Sequence, residues 1–584
     1  MKILNRIIIV CSVLGFTILN GQLSTDAETE QGAAYLENQE EVFVHYNTSL
    51  LFAGESLLYN VHSLVKGTNL PSSLSKLAYV ELVGEDGKIL FRHKILLTNG
   101  RGQGDFFVPA DTPSGNYKLL GYTKWMLNSG IATFFQGDVG IVNPYHSNQD
   151  TLLEGKAEVV QDSIGATSES PTSREEIRMT FDQIAYRRRQ GITLSLEAMD
   201  KAVLGGNYSI SVRKRDSLRR PLMPTARNHI FRQKSNSAQL SRQKFLPELR
   251  GQLISGRIVP KNGNSLFKEE KIGLSIPDKK FVLKMTRTND KGEFYFNLKQ
   301  AYESESGFLQ VVGERAENYG IEIEEEAIFN YDQLKFGKLR ITPQMKEIIL
   351  KRNIYNQVEN AFVEVKLDNK INSNSFTPVY REFSQTYQLN DFTRFPTIKE
   401  TMLEIVDNAW VERNADGEEQ LKVREDDYNT GTDLLPLILI DGVMVQNHTQ
   451  VIAYDARKVE RIKLSRKECV INSVVYKGII SIETKEGDFF KNHLGNTLKT
   501  IMLDPPKAKK EYFHPRYDGQ GDPKMEQIPD FRLQLLWVPQ LDFKTKNLDL
   551  ELFASDVPGI YDVRLEGFTS LGTPISINSS ILVN

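Results

Sequence analysis

Thiols are nearly absent from this 584-residue chain, which has 2 Cys, at Cys11 and Cys469. Cys11 lies inside the apolar run at the N-terminus, so a processed chain keeps one thiol. That excludes an internal disulfide framework and a cysteine-based metal site. Cys469 reads as a small buried strand residue. An excess of one charge is missing too: 72 Lys and Arg face 75 Asp and Glu, for a formal net charge of -3. This balance gives no reason to expect nucleic acid or a broadly acidic partner. Beyond Leu19 no segment is long and apolar enough to span a bilayer as a helix. The histidines, His45, His62, His93, His146, His229, His448, His493 and His514, include no pair at His-x-x-x-His or His-Glu-x-x-His spacing. There is no Gly-x-Ser-x-Gly elbow, phosphate loop or dinucleotide fingerprint. No catalytic residue, cofactor site or metal ligand is therefore assigned, and the chain is read as a non-enzyme. Glu322, Glu324, Glu325 and Glu326 do not fit an EF-hand loop and read as a solvated acidic edge. Asp441, directly before Gly442, reads as a turn residue.

The segments that are present describe an exported β protein. Lys2 and Arg6 precede the uncharged apolar run Ile7–Leu19, and small residues follow. This is the pattern of a secretory signal peptide over residues 1–21, with cleavage after Gly21 or after Ala27. Hydrophobic residues at 40% and charged residues at 25% are an ordinary globular balance. The length suits about three to five domains. From residue 40 short apolar strands alternate with Gly, Pro and Asn turns, among them Leu57–Val61, Ala78–Val83, Lys94–Leu97 and Tyr117–Tyr122. Such regular spacing predicts an antiparallel sandwich over 40–143. Residues 144–176 are Ser-, Asn-, Asp- and Glu-rich and read as a linker. Strands resume at Ile177–Phe181, Ile192–Leu196 and Tyr208–Val212.

Several of these pieces resemble known modules. Ala53-Gly54-Glu55-Ser56-Leu57, Tyr79-Val80-Glu81-Leu82, Pro113-Ser114-Gly115-Asn116-Tyr117 and Tyr122-Thr123-Lys124-Trp125 resemble the macroglobulin-type second domain of Gram-negative envelope proteins. Trp125 is then a packing residue. The Cys-Gly-Glu-Gln thioester of that family is absent. A second, smaller macroglobulin-like unit is expected over 177–216. Gly251–Val259 with Asn289-Asp290-Lys291-Gly292-Glu293-Phe294-Tyr295-Phe296 resembles the carboxypeptidase-regulatory-like sandwich, placed at 251–343. Leu437-Ile438-Leu439-Ile440-Asp441-Gly442-Val443, Val459–Leu464 and Tyr476–Lys485 follow the order of the plug domain of TonB-dependent receptors, placed at 376–486. Only Asp488–Asn584 follows it. A receptor barrel needs well over about two hundred residues, so the expectation is a plug-like fold without its barrel. Thr397 is expected to cap a helix from Ile398 with Glu400 at its positive end, and Met402, Leu403, Ile405 and Val406 to form its buried face. Ile528–Arg532, Leu535–Pro539, Leu550–Asp556 and Gly559–Gly567 resemble a closing module of the same proteins, at 528–584. It is too short to stand alone and is expected to pair with an earlier sheet.

Between these units, residues 344–375 read as a connecting helix and strand, with Met345, Ile348, Ile349, Ile354 and Val358 at helical spacing. Residues 487–527 read as a linker. Residues 213–250 hold eleven Arg and Lys against Asp216 and Glu248. Within them 217–250 reads either as a solvated basic linker or as a docking loop for an acidic partner or lipid headgroup. The predicted fold is mainly β: tandem antiparallel sandwiches of macroglobulin or Ig-like type, followed by a small α+β plug-like domain. The domain order implies a non-catalytic binding or scaffold protein of the Gram-negative envelope, in the periplasm or on the outer membrane. Its expected partner is an outer-membrane or periplasmic protein, a β-barrel among the candidates, met by sheet edges and loops of the plug-like domain. Rival readings are an accessory binder in glycan or peptide uptake and a macroglobulin-like protease inhibitor working through a cleavable bait.

Overall fold

The computed structural model describes residues 39–146, 149, 152–153, 176–233, 245–261, 269–278, 281–299, 302–324, 329–371, 383–424, 434–472, 474–487, 489–490 and 498–584. The expected signal peptide, Cys11, most of the 144–176 linker, Glu325, Glu326 and His493 lie outside them. Within the described residues the chain is mainly β, and no helix is long and apolar enough to cross a membrane.

The first sandwich packs a three-stranded sheet on a five-stranded one. Glu40–Tyr46, Ser56–Val65 and Arg101–Phe107 form the smaller sheet. Leu50–Phe52, Phe135–Val142, Gly115–Tyr122, Leu77–Gly84 and Ile89–Leu96 form the larger. Val42, Val44, Leu57, Tyr59, Val80, Leu119 and Ile141 fill the space between them. Tyr117 closes the corner before its strand by donating to the Pro113 carbonyl at 2.8 Å. Trp125 is buried in a short 3-10 turn.

The second sandwich corrects the boundaries read from sequence. Residues 177–216 do not form a unit of their own. Asn207–Lys214 runs between Gln534–Leu541 and Gly559–Phe568 in one five-stranded sheet, which Pro574–Val583 and Ala185–Tyr186 extend. Gly191–Ala198 pairs with Asn547–Phe553 and Ile177–Phe181 in the facing sheet. The cause is burial: Tyr208, Ile210 and Val212 belong to a core that Leu535, Leu541, Val563 and Leu565 from the C-terminal segment help to close. Tyr561 repeats the corner seen at Tyr117, donating to the Val557 carbonyl at 2.7 Å.

The third sandwich pairs Gln252–Pro260 with Glu293–Leu298 and Tyr319–Ile323. Its second sheet orders Val282–Arg287, Lys271–Ile276, Ser306–Val312 and Leu498–Met502. That last strand falls in the expected 487–527 linker. It is a strand because Ile501 and Leu503 complete this core, while Phe489 and Phe490 complete the neighbouring one. Residues 329–341, assigned to the third unit from sequence, pack instead on the outer face of the first. Leu334 meets Val83 and Leu120, and Leu339 and Ile341 meet Leu50 and Phe52. The supposed basic linker also contains structure. Ala226–Gln233 is a helix whose Ala226, His229 and Ile230, at i, i+3 and i+4, are buried against the first sandwich.

The α+β unit orders Gln385–Gln388, Val459–Ser465, Ile479–Thr484, Leu437–Ile440 and Val443–Met444 in one sheet. Thr397 and Glu400 make a reciprocal capping box on the Ile398–Glu404 helix. Met402 and Val406 are buried as expected, but Leu403 is 79% exposed, because its position faces away from the sheet.

Candidate interaction site

The Ala53-Gly54-Glu55 turn, between Leu50–Phe52 and Ser56–Val65, is the seat for the Lys346–Ala361 helix. Gly54 has φ 89°, and a Cβ there would lie 2.7 Å from the side-chain nitrogens of both Asn356 and Asn360. Only glycine permits both the left-handed turn and this approach. Asn356 Nδ2 donates to the Ala53 carbonyl at 2.6 Å, and Asn360 Nδ2 to the Gly54 carbonyl at 3.0 Å. Each such bond contributes about 1 kcal/mol net. One turn earlier, Arg352 Nε and Nη2 reach the two Glu55 oxygens, each at 2.7 Å. Its Nη2 also meets the Leu50 carbonyl at 2.9 Å, and Nη1 donates to Asp216. The guanidinium lies 4.4 Å from the Phe52 ring centroid. Arg213 adds a contact to Glu55 at 3.2 Å.

These charges are buried, so pairing decides whether they are tolerated. Burial opposes ionisation of Glu55, yet the Arg352 and Arg213 guanidiniums and the Phe52 amide together outweigh it and hold the carboxyl below its usual range. Burial likewise works against the charge on Arg352, and Asp216 and Glu55 together more than reverse that. Arg352 thus joins the first sandwich, through Glu55, to Asp216 at the exit of the second. Further contacts lock the same junction. His45 Nδ1 lies 2.7 Å from Ser209 Oγ, and its ring packs 5.1 Å from that of Trp537. On the helix's other flank Tyr355 packs on Phe531, and Glu359 accepts from the Phe531 amide at 2.5 Å.

The helix therefore turns its polar residues inward. Arg352, Asn353 and Asn356 are buried, while Leu350 is 48% and Ile354 56% exposed. Leu350, Ile354 and Ala361 share the outer face with Glu347 and Lys351. Just past the helix Val363, Val365 and Leu367 are exposed as well. The usual amphipathic arrangement is inverted. Apolar spacing located this helix in the sequence; of the residues that carried it, Met345 and Ile349 pack on the Leu50 and Phe52 cluster, while Ile348 and Ile354 are exposed. The signal that locates the seat is the polar series Arg352, Asn356, Asn360 at intervals of four.

The other residues singled out from sequence occupy structural places. Asp441, at φ 48°, accepts from the Thr484 amide and hydroxyl, both at 2.7 Å, and so ties its turn to the adjacent strand. Cys469 is buried, which pushes its thiol up. Burial lowers His45 far below its ordinary value and takes His62 and His93 down to about 3. Glu322 pairs with Arg257 at 2.7 Å, and Glu324 accepts from Ser255. Among the described residues no three His, Cys, Asp or Glu are grouped to hold a metal ion. One edge of the α+β sheet, expected to face a partner, is covered within the chain. Met444 N donates to Ser275 Oγ at 3.2 Å, and Gln310 Nε2 donates to the Met444 carbonyl at 2.8 Å.

No family model matches the chain, and no curated protein matches it. Solved structures similar to it include the native α2-macroglobulin of E. coli, at 10% identity and a TM-score of 0.22, covering 93% of this chain and 40% of that one. The Salmonella α2-macroglobulin reacted with methylamine overlays at 8% identity and a TM-score of 0.23, covering 93% and 39%. The Yersinia pseudotuberculosis adhesin InvE overlays at 9% identity and a TM-score of 0.13, covering 48% and 57%. The chain spans about 40% of the length of the first of these macroglobulins.

Proposed function

We propose that the chain is an exported, non-catalytic scaffold of the Gram-negative envelope that seats the outer face of the Lys346–Ala361 helix in an apolar groove of an outer-membrane protein. The observation that carries this reading is the inverted helix: Leu350 and Ile354 face solvent while Arg352 and Asn356 are buried. A helix of that length presents a ridge about 24 Å long. Leu350 and Ile354, one turn apart, have the spacing of helix-in-groove anchors. Glu347 offsets Lys351 beside them, so this face has no electrostatic preference for an anionic bilayer. The buried charges behind it fix the ridge relative to two sandwiches, which limits the ordering cost of association. The apolar N-terminal run supports export, and the order of macroglobulin-like, carboxypeptidase-regulatory-like and plug-like segments supports the envelope.

The test is Ile354→Glu in the producing cell. Tm of the purified variant stays within about 2 °C of wild type, since the side chain is largely solvated, and the protein leaves the outer-membrane fraction. Unchanged retention of this variant would refute the reading. So would a self-associated wild type that the substitution renders monomeric.

A further inference from the structure

The polar cluster of the helix seat extends beyond it, to Arg215, Arg220 and Asp562, and is not balanced. The Arg213, Arg215, Arg220 and Arg352 guanidiniums share three carboxylates, those of Glu55, Asp216 and Asp562. The closest pairings are taken: Glu55 and Asp216 by Arg352, and Asp562 by Arg215 at 2.6 Å. Arg220 is left with long contacts, 3.5 Å to Asp562 and 3.8 Å to Asp216. Asp216 Oδ2 is buried without a hydrogen bond, so Arg220 does not complete it. Burial lowers the Arg220 value; Asp216 and Asp562 pull it back up in part, and Arg564 and Arg352 oppose them. The adjacent Arg564 holds Glu566 at 3.0 Å, and burial pushes that carboxyl above its usual range against the pull of Arg564. Three guanidiniums, those of Arg215, Arg220 and Arg564, thus converge around the single cleft-lining carboxylate of Asp562.

Arg215, Arg220 and Arg564, with Asp562 among them, line one open cleft of about 600 Å³, with the Pro221–Met223 loop on one side and the Gly559–Phe568 and Pro574–Val583 hairpin on the other. Forked guanidiniums suit carboxylate and phosphate oxygens. The space is far larger than such a group, and Asn578, Ser579 and Ser580 give the remaining wall amide and hydroxyl partners. We propose that this cleft binds an acidic sugar unit, with its carboxylate or phosphate held by Arg215, Arg220 and Arg564 and its hydroxyls against the serine-rich strand. This site is separate from the helix ridge and does not depend on the proposed docking there.

Calorimetric titration of the full chain with glucuronate, glucose 6-phosphate, glucose and inorganic phosphate tests it. At least one of the two acidic sugars binds, and which one does separates the carboxylated from the phosphorylated class. Glucose gives no signal, and inorganic phosphate binds at least about tenfold more weakly than the acidic sugar. Arg220→Gln weakens the sugar by about tenfold or more. Arg215→Gln, at a half-exposed position whose loss spares the core, does the same while the melting curve is retained. Silence from both acidic sugars, or full affinity in both variants, overturns the site. Phosphate binding as tightly as glucose 6-phosphate overturns the sugar assignment.

Discussion

The first sandwich is built from one continuous stretch, Glu40 to Val142, whereas the second is assembled from Ile177–Lys214 and Gln534–Val583 across an insertion of more than three hundred residues. Both use the same corner, a tyrosine hydroxyl donating to the carbonyl four residues earlier. They differ in what closes their cores and in how they meet protons. The first carries the buried histidines His45 and His62 and the half-buried His93. The strands of the second contain no histidine, although His514, lowered to about 4 by burial, borders it near Arg532. Local sequence thus builds a corner equally well in either setting, while closing the split core depends on long-range pairing.

Acid should separate the two most strongly. Burial depresses the folded-state values of His45, His62 and His93 below the unfolded value of about 6.5. Stability is therefore full above about 6.5 and falls as pH drops toward 3, where the folded groups titrate, because the unfolded chain takes up protons first. Each fully neutral buried histidine contributes about 1.4 kcal/mol of loss per pH unit in that window. Amide exchange at pH 4.5 should open Glu40–Val65 before Asn207–Lys214. His62→Gln should flatten the pH slope of the melt, and an unchanged slope would refute the assignment.

Next in size is the junction. Arg352→Met strands the buried carboxylates of Glu55 and Asp216 and should cost about 3–5 kcal/mol in denaturant melts. Arg257→Met, which breaks the exposed pair with Glu322, should cost under about 1 kcal/mol. Equal effects would mean that the cluster does not couple the two sandwiches. The corners should give the smallest difference. Tyr117→Phe should cost about 1 kcal/mol. Tyr561→Phe should cost more, because its hydroxyl also lies 2.8 Å from buried Ser555 Oγ. The reverse order would show that the split sandwich relies less on its corner than the continuous one.

The strands of the first sandwich, the Thr397–Glu400 box and the Asp441 turn were legible because each is specified by neighbours within a few residues. That the C-terminal module joins an earlier sheet was legible from its length, and it does so beside Asn207–Lys214; which strand it meets was not, since period-2 patterning marks a buried strand without naming its partner. The ends of the third unit were misread for a related reason: Ile501 and Leu503 sit among Lys and Pro, and only the core they fill makes that segment a strand. The helix seat was missed because hydrophobic periodicity ranks apolar residues first, while this helix docks through Arg352, Asn356 and Asn360. The burial of His45 and His62 was not legible, because it depends on the facing sheet.

The central claim, that the Lys346–Ala361 ridge is the docking face, is tested most directly by a photocrosslinking residue at position 354 in producing cells. A matching residue at position 403, equally apolar and more exposed on the α+β unit, serves as the comparison. The account predicts one discrete adduct with an outer-membrane protein from position 354 and none from 403. An adduct from 403 with none from 354 would contradict it.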